Sequence, residues 1–202
     1  MQRSGGAEAQ PIPPASSGSV QSPVAPRTLV LGLGNPILRD DGVGWRVVEE
    51  VQARGAPVRT PYGATTSTDG VEFDWVALGG LALMERLVGY ERVVLVDAIR
   101  TRDGQPGTVY RLSLDDLPTL NANAVHDATL KAALELGRRL GAVLPDDVTI
   151  IAVEAADVLS FGEGLSPAVE AAIPVAADLV FQTLRDINHH HEEMKKRRPH
   201  HV

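Results

Sequence analysis

From Thr28 to Leu184, short runs rich in Val, Ile and Leu alternate with longer segments of helical period, a pattern that few architectures accommodate. Residues 28–33 read as a buried strand, and residues 42–53 follow as a helix with Val43, Val47, Val48 and Val51 on one face. Residues 71–77 and 92–97 read as further strands, with a helix at 81–87 between them. Residues 107–112 alternate as a strand; too few residues precede it for a crossover, so it is expected at an antiparallel edge. An amphipathic helix at 127–140, a strand at 147–153 and a closing helix at 167–184 complete the domain. Ser166 caps the last helix and Pro167 starts it, while Pro174 inside it should bend it. The expected fold is α/β, in three layers: an open, twisted, mostly parallel sheet of about five strands with helices on both faces.

One domain is expected over residues 28–187. Residues 1–27, with Pro at 11, 13, 14, 23 and 26 among small polar residues, bury too little apolar surface to offset their ordering entropy and are expected to be disordered. They also lack the apolar core of a signal peptide, so a cytoplasmic location is expected. Residues 188–202, with His189 to His191, Lys195 to Arg198, His200 and His201, read as a polar tail. No apolar run approaches the roughly 20 residues that cross a bilayer, so no membrane association is expected.

The chain has no cysteine, which removes disulfides, zinc-thiolate sites and thiol nucleophiles together. Carboxylates, imidazoles and hydroxyls remain to carry chemistry. The formal net charge is −7, and residues 28–187 hold 13 basic against 23 acidic side chains, a balance that repels a phosphate backbone. No nucleic-acid partner is expected. Nothing in the exposed faces argues for assembly, so a monomer is expected.

The densest chemical signal is Leu31-Gly-Leu-Gly-Asn-Pro-Ile-Leu-Arg-Asp-Asp-Gly-Val-Gly44, a strand end running through a loop into a helix. In an open α/β sheet such a loop lies at the carboxyl edge, where ligands bind. Gly32 and Gly34 permit a tight turn, and the Asn35 amide can bridge strands of the loop. Asp40 and Asp41 stand before the helix, where the dipole favours negative charge; capping and dipole compensation would account for both. Asp97 ends the apolar strand Val93 to Val96 and should face the same crevice. His126 opens the 127–140 helix, and the other five histidines all lie after residue 188. Two carboxylates and one imidazole converging from three loops, with no soft ligand, suit a borderline divalent ion such as Ni²⁺ or Zn²⁺.

These segments together resemble the hydrogenase maturation endopeptidases. The likeness covers most of residues 28–185. Gly32 to Gly44 looks like the family's N-terminal signature, and Val93-Val-Leu-Val-Asp-Ala-Ile99 is similar to its second ligand segment. Pro106-Gly107-Thr108 matches the turn that follows, Val125-His-Asp-Ala-Thr-Leu130 looks like the third ligand segment, and Gly164-Leu-Ser-Pro167 resembles the element before the last helix. The resemblance implies that Asp41, Asp97 and His126 are metal ligands. It further implies a protease that removes a C-terminal extension from a nickel-loaded hydrogenase large-subunit precursor, with nickel supplied by that substrate. Asp41 and Asp40 are candidates for the base that activates water. One segment departs from the pattern: Leu78-Gly79-Gly80-Leu81 keeps the glycines of an Asp-Gly-Gly-Thr-like stretch but loses its acid and hydroxyl.

Rival readings are weaker. Gly-Leu-Gly-Asn-Pro after a strand also looks like the start of peptidyl-tRNA hydrolase, but the acidic domain and Arg39-Asp40-Asp41 oppose an RNA-facing surface. A dinucleotide cradle wants a third glycine where Ile37 stands. A non-catalytic nickel-sensing or maturation-chaperone protein would use the same three ligands.

Overall fold

The computed structural model describes residues 27–55, 58–59, 65–66, 70–116 and 127–197. The tail expected at residues 1–27 lies outside these but for Arg27, and so does His126. The sheet has the order β2-β3-β4-β1-β5-β7-β6, with β1 at Thr28–Leu33, β2 at Val58–Arg59, β3 at Thr65–Thr66 and β4 at Val71–Val76. Strands β5 (Arg92–Ile99), β6 (Val109–Ser113) and β7 (Asp147–Glu154) complete it. The inner four, β4-β1-β5-β7, are parallel, and β6 pairs antiparallel with β7 at one edge, as its short connection requires. Five strands match those read from sequence; two antiparallel strands of two residues each, β2 and β3, extend the other edge.

Helices α1 (Val43–Gly55) and α4 (Pro167–Arg197) cover one face, and α2 (Gly80–Leu87) and α3 (Asp127–Arg139) the other. Alternation along the strands builds both cores. Leu29, Leu31, Leu33, Val93, Leu95 and Ile150 meet Leu83, Leu87, Leu130 and Leu134 on the α2/α3 side. Val30, Val94, Val96, Ile151 and Val153 meet Val47, Val51, Val169, Ala176 and Val180 on the α1/α4 side. Each such aliphatic side chain, fully buried, contributes about 1.5–3 kcal/mol.

The structure revises two expectations. β5 does not end at Asp97 but runs to Ile99, because β7 continues beside it and pairs Asp97 with Ala152 and Ile99 with Glu154. The last helix does not stop near residue 184. It passes through Pro174 and continues to Arg197, so residues 188–197 of the expected tail are helical. Within it, Pro167–Ile187 has the length and mean hydropathy, 1.2, of a bilayer span, but Val169, Ala172, Ala176, Ala177 and Val180 bury its stripe against the sheet.

Two glycines bring β1, β5 and α1 close enough to form the upper edge. A side chain at Gly44 would strike the carbonyl oxygens of Val96 and Leu33, and one at Gly34, whose φ is +114°, would strike that of Asp41. Gly44→Ala is therefore expected to destabilise the fold by about 2–3 kcal/mol through overpacking. Urea denaturation with an unchanged m-value checks this, and a wild-type midpoint would contradict it.

Candidate active site at the carboxyl edge

The chain leaves β1 through Gly34 and Asn35, makes a 3-10 turn at Arg39–Gly42 and enters α1. The Asn35 Oδ1 accepts from the Ile37 amide (3.2 Å) and so stabilises its own turn. Asp41 is half-buried, and one carboxylate oxygen accepts from the Asn35 amide at 2.6 Å, which draws it over the end of β1. The turn carrying Asp41 packs on β5.

Asp97 lies on β5, 5% exposed, and its Oδ1 accepts from the Ala98 amide at 2.8 Å. Two residues from each of Leu95 and Ile99, it shares their face of the strand and so faces the α2/α3 layer. The chain after α3 returns to the amino edge, where the Gly89 amide bonds the Val143 carbonyl and the Asp146 amide bonds that of Glu91. At 13 residues α3 spans about 20 Å, so it begins toward the carboxyl edge. The fold thus brings Asp41 and Asp97 to one edge and points the start of α3 there. Among the described residues no three acids or histidines form a metal cluster; the third candidate, His126, is not one of those residues.

Asp40 neither caps the helix nor faces solvent. It is fully buried, and its carboxylate reaches across to the segment joining β7 to α4. Oδ2 accepts from the amides of Ala156 (2.9 Å) and Asp157 (3.0 Å) and from the Ser166 hydroxyl (3.0 Å), while Oδ1 accepts from the Ser166 amide (2.6 Å). Charge-assisted bonds of this kind compensate the desolvation of a buried anion. The return contact is made by backbone: the Asp40 amide donates to the Asp157 carbonyl, the Arg39 amide to Gly162, and the Gly162 amide to Ile37. The two loops are thereby one unit.

That unit has its own anionic turn. Asp157 is held down to about 2, chiefly by hydrogen bonding from the Ser160 side chain and amide and from the Leu159 amide. Beside the loops lies a groove of about 350 Å³ with Ile37, Arg39, Trp45, Glu163 and Leu165 among its walls. Arg39 holds φ +50°, and its Nε and the Trp45 Nε1 are buried without hydrogen-bond partners.

Sequence reasoning passed over Glu154. At the end of β7 and 2% exposed, it accepts from the Thr101 amide (2.7 Å), the Thr101 hydroxyl (3.0 Å) and the Tyr110 hydroxyl (3.3 Å). Burial and the Glu154 charge raise the Tyr110 pKa. Its backbone pairs with Gly107 and Thr108, so it fixes the Pro106-Gly107-Thr108 turn. Only its place directly after the apolar run Ile150 to Val153 could have signalled this.

Comparisons with known proteins decide the family. The sequence model described as hydrogenase maturation protease matches residues 77–183. The Hydrogenase 2 maturation protease of Escherichia coli K12 is 30% identical over 79% of this chain and 92% of its own length. The chain belongs to the hydrogenase maturation protease family. The hydrogenase maturating endopeptidase HybD of E. coli shares the fold with a TM-score of 0.64, 30% identity and coverage of 79% of this chain and 93% of its own. The hydrogenase expression/formation protein HupD of Rhizobium leguminosarum is 28% identical over 81% of this chain and 76% of its own length. As a maturation protease, this chain is an endopeptidase.

Two outcomes are expected. Asp40→Ala strands the amides of Ala156, Asp157 and Ser166 and should lower stability by about 3 kcal/mol; chemical denaturation reads it, and an unchanged midpoint would contradict the tether. Because Asp157 is depressed in the folded state, its contribution is complete above the ordinary aspartate pKa and is lost as pH falls from about 4 through about 2. Amide exchange at Leu159 and Ser160 should accelerate over that window, and Asp157→Asn should abolish the dependence.

Proposed function

We propose that this protease removes a C-terminal extension from the nickel-loaded large-subunit precursor of a nickel-iron hydrogenase, and that the nickel it recognises is the ion the precursor carries. Asp41, Asp97 and His126 are assigned to meet that ion. The observation carrying the assignment is the placement of Asp41 and Asp97 at one sheet edge, toward which α3 begins; His126 directly precedes α3 in the chain. Two carboxylates and an imidazole supply hard and borderline donors and no thiolate, so they can share nickel with a thiolate-rich substrate without displacing its ligands.

In the hydrolysis, water adds to the scissile carbonyl, the carbon–nitrogen bond breaks, and the amine departs with a proton. Asp41, half-buried and held by one amide, is the carboxylate placed to take a proton from water. Asp40 is assigned to positioning, since every direction of its carboxylate that is bonded runs to the neighbouring loop and none of it is exposed.

The test mixes the full chain with each large-subunit precursor of the source organism, nickel-loaded and nickel-free, and reads the size shift of cleavage. Loaded precursor alone should be cut. Equal cutting of both forms would overturn nickel recognition, and binding without cleavage would overturn the proposed reaction. His126→Ala and Asp97→Asn should each slow processing by about 100-fold or more while leaving circular dichroism unchanged. Full activity in either would remove that residue from the site.

A further inference from the structure

Resting on that reading, we propose that Leu159 and Phe161, with Ile37 beside them, form an apolar anchor that docks the folded body of the precursor protein next to its scissile segment. Phe161 is 82% exposed, Leu159 76% and Ile37 50%. Isolated exposed apolar residues are ordinary, but here the loop carrying Leu159 and Phe161 is tied to the Ile37 loop through Gly162, whose amide donates to the Ile37 carbonyl and which bridges Leu38.

The anchor is held rigidly where a mobile loop would have hidden it. Asp157 Oδ1 accepts from the amides of Leu159 (3.1 Å) and Ser160 (3.0 Å), and the buried Asp40 carboxylate grips the loop at Ala156, Asp157 and Ser166. An apolar side chain fixed in solvent loses little conformational freedom when a partner covers it, which is the condition under which a single aromatic residue dominates an interface. Nothing in the fold needs Phe161 exposed. Its loop is otherwise committed to hydrogen bonds that a serine or lysine at 161 would leave intact, since all of them use backbone or the side chains of Asp40, Asp157 and Ser166.

Position selects the occupant. The segment joining β7 to α4 is tied by Asp40 and the Leu38–Gly162 bridge to the turn that carries Asp41, so the anchor is continuous with the edge to which an endopeptidase must bring its polypeptide. The groove walled by Ile37, Arg39, Trp45 and Leu165 continues the surface toward α1. A second copy of this chain is the competing occupant, and the measurement separates the two.

The experiment compares the full chain with a Leu159→Ser/Phe161→Ser double variant on nickel-loaded precursor, recording KM and kcat separately, with Leu140→Ser/Val143→Ser at the amino edge as control. The double variant should raise KM about tenfold or more with kcat within about twofold, while the control keeps both values. Phe161→Lys should match the double variant. If wild type cuts and the double variant keeps its KM, the anchor falls and the proposed function stands. A wild type that neither binds nor cuts any precursor overturns both. Sedimentation showing a wild-type dimer that the double variant dissolves would assign the surface to self-association and overturn the precursor as its occupant.

Discussion

The buried Asp40 carboxylate is the interaction on which the upper edge of the sheet depends. A side chain six residues beyond Gly34 satisfies backbone donors more than a hundred residues further along the chain, and so converts two loops that leave adjacent regions of the sheet into one body. An unpaired carboxylate at this depth would be strongly unfavourable, whereas four donors offset most of its desolvation. A neutral asparagine would fill the same volume but would turn one acceptor oxygen into a donor facing amides. The acid is therefore required for geometry, while its half-buried neighbour Asp41 accepts from the Asn35 amide of its own loop.

Much of this architecture was legible from periodicity. β1, β5 and β7 are buried on both faces and read as continuous apolar runs, and α1 carries its valines at helical spacing. What escaped was of two kinds. β2 and β3 are two residues long, too short for any period to register, and β5 overran Asp97 because the length of a strand is set by its partner, here β7, and not by its own composition. The continuation of α4 past residue 184 was hidden because residues 188–197 are polar and charged with no apolar period, so nothing in the pattern distinguishes them from a solvated tail.

The candidate site divides in the same way. Gly34 and Gly44 were visible as a loop signature, and topology placed Asp41 and Asp97 at one edge. The roles of Asp40 and Glu154 were not visible, because each depends on donors distant in sequence: Ala156, Asp157 and Ser166 for one, Thr101 and Tyr110 for the other. Local rules offered a helix cap for Asp40, and the tertiary fold found a better set of donors.

The contrast among Asp40, Asp97 and Glu154 explains how an acidic domain concentrates charge at one edge without unfolding it. Each buried carboxylate accepts at least one backbone amide, so oriented N–H dipoles help to balance its negative charge. Arg39 Nε stands 3.8 Å from the Asp157 carboxylate beside this turn, while Arg27 with Glu72, Arg86 with Asp74 and Arg54 with Asp178 pair on strands and helices away from it. Apolar side chains at Ile37, Leu159 and Phe161 stand on loops that these same hydrogen bonds hold together, so the anchor and the buried acids belong to one tethered edge.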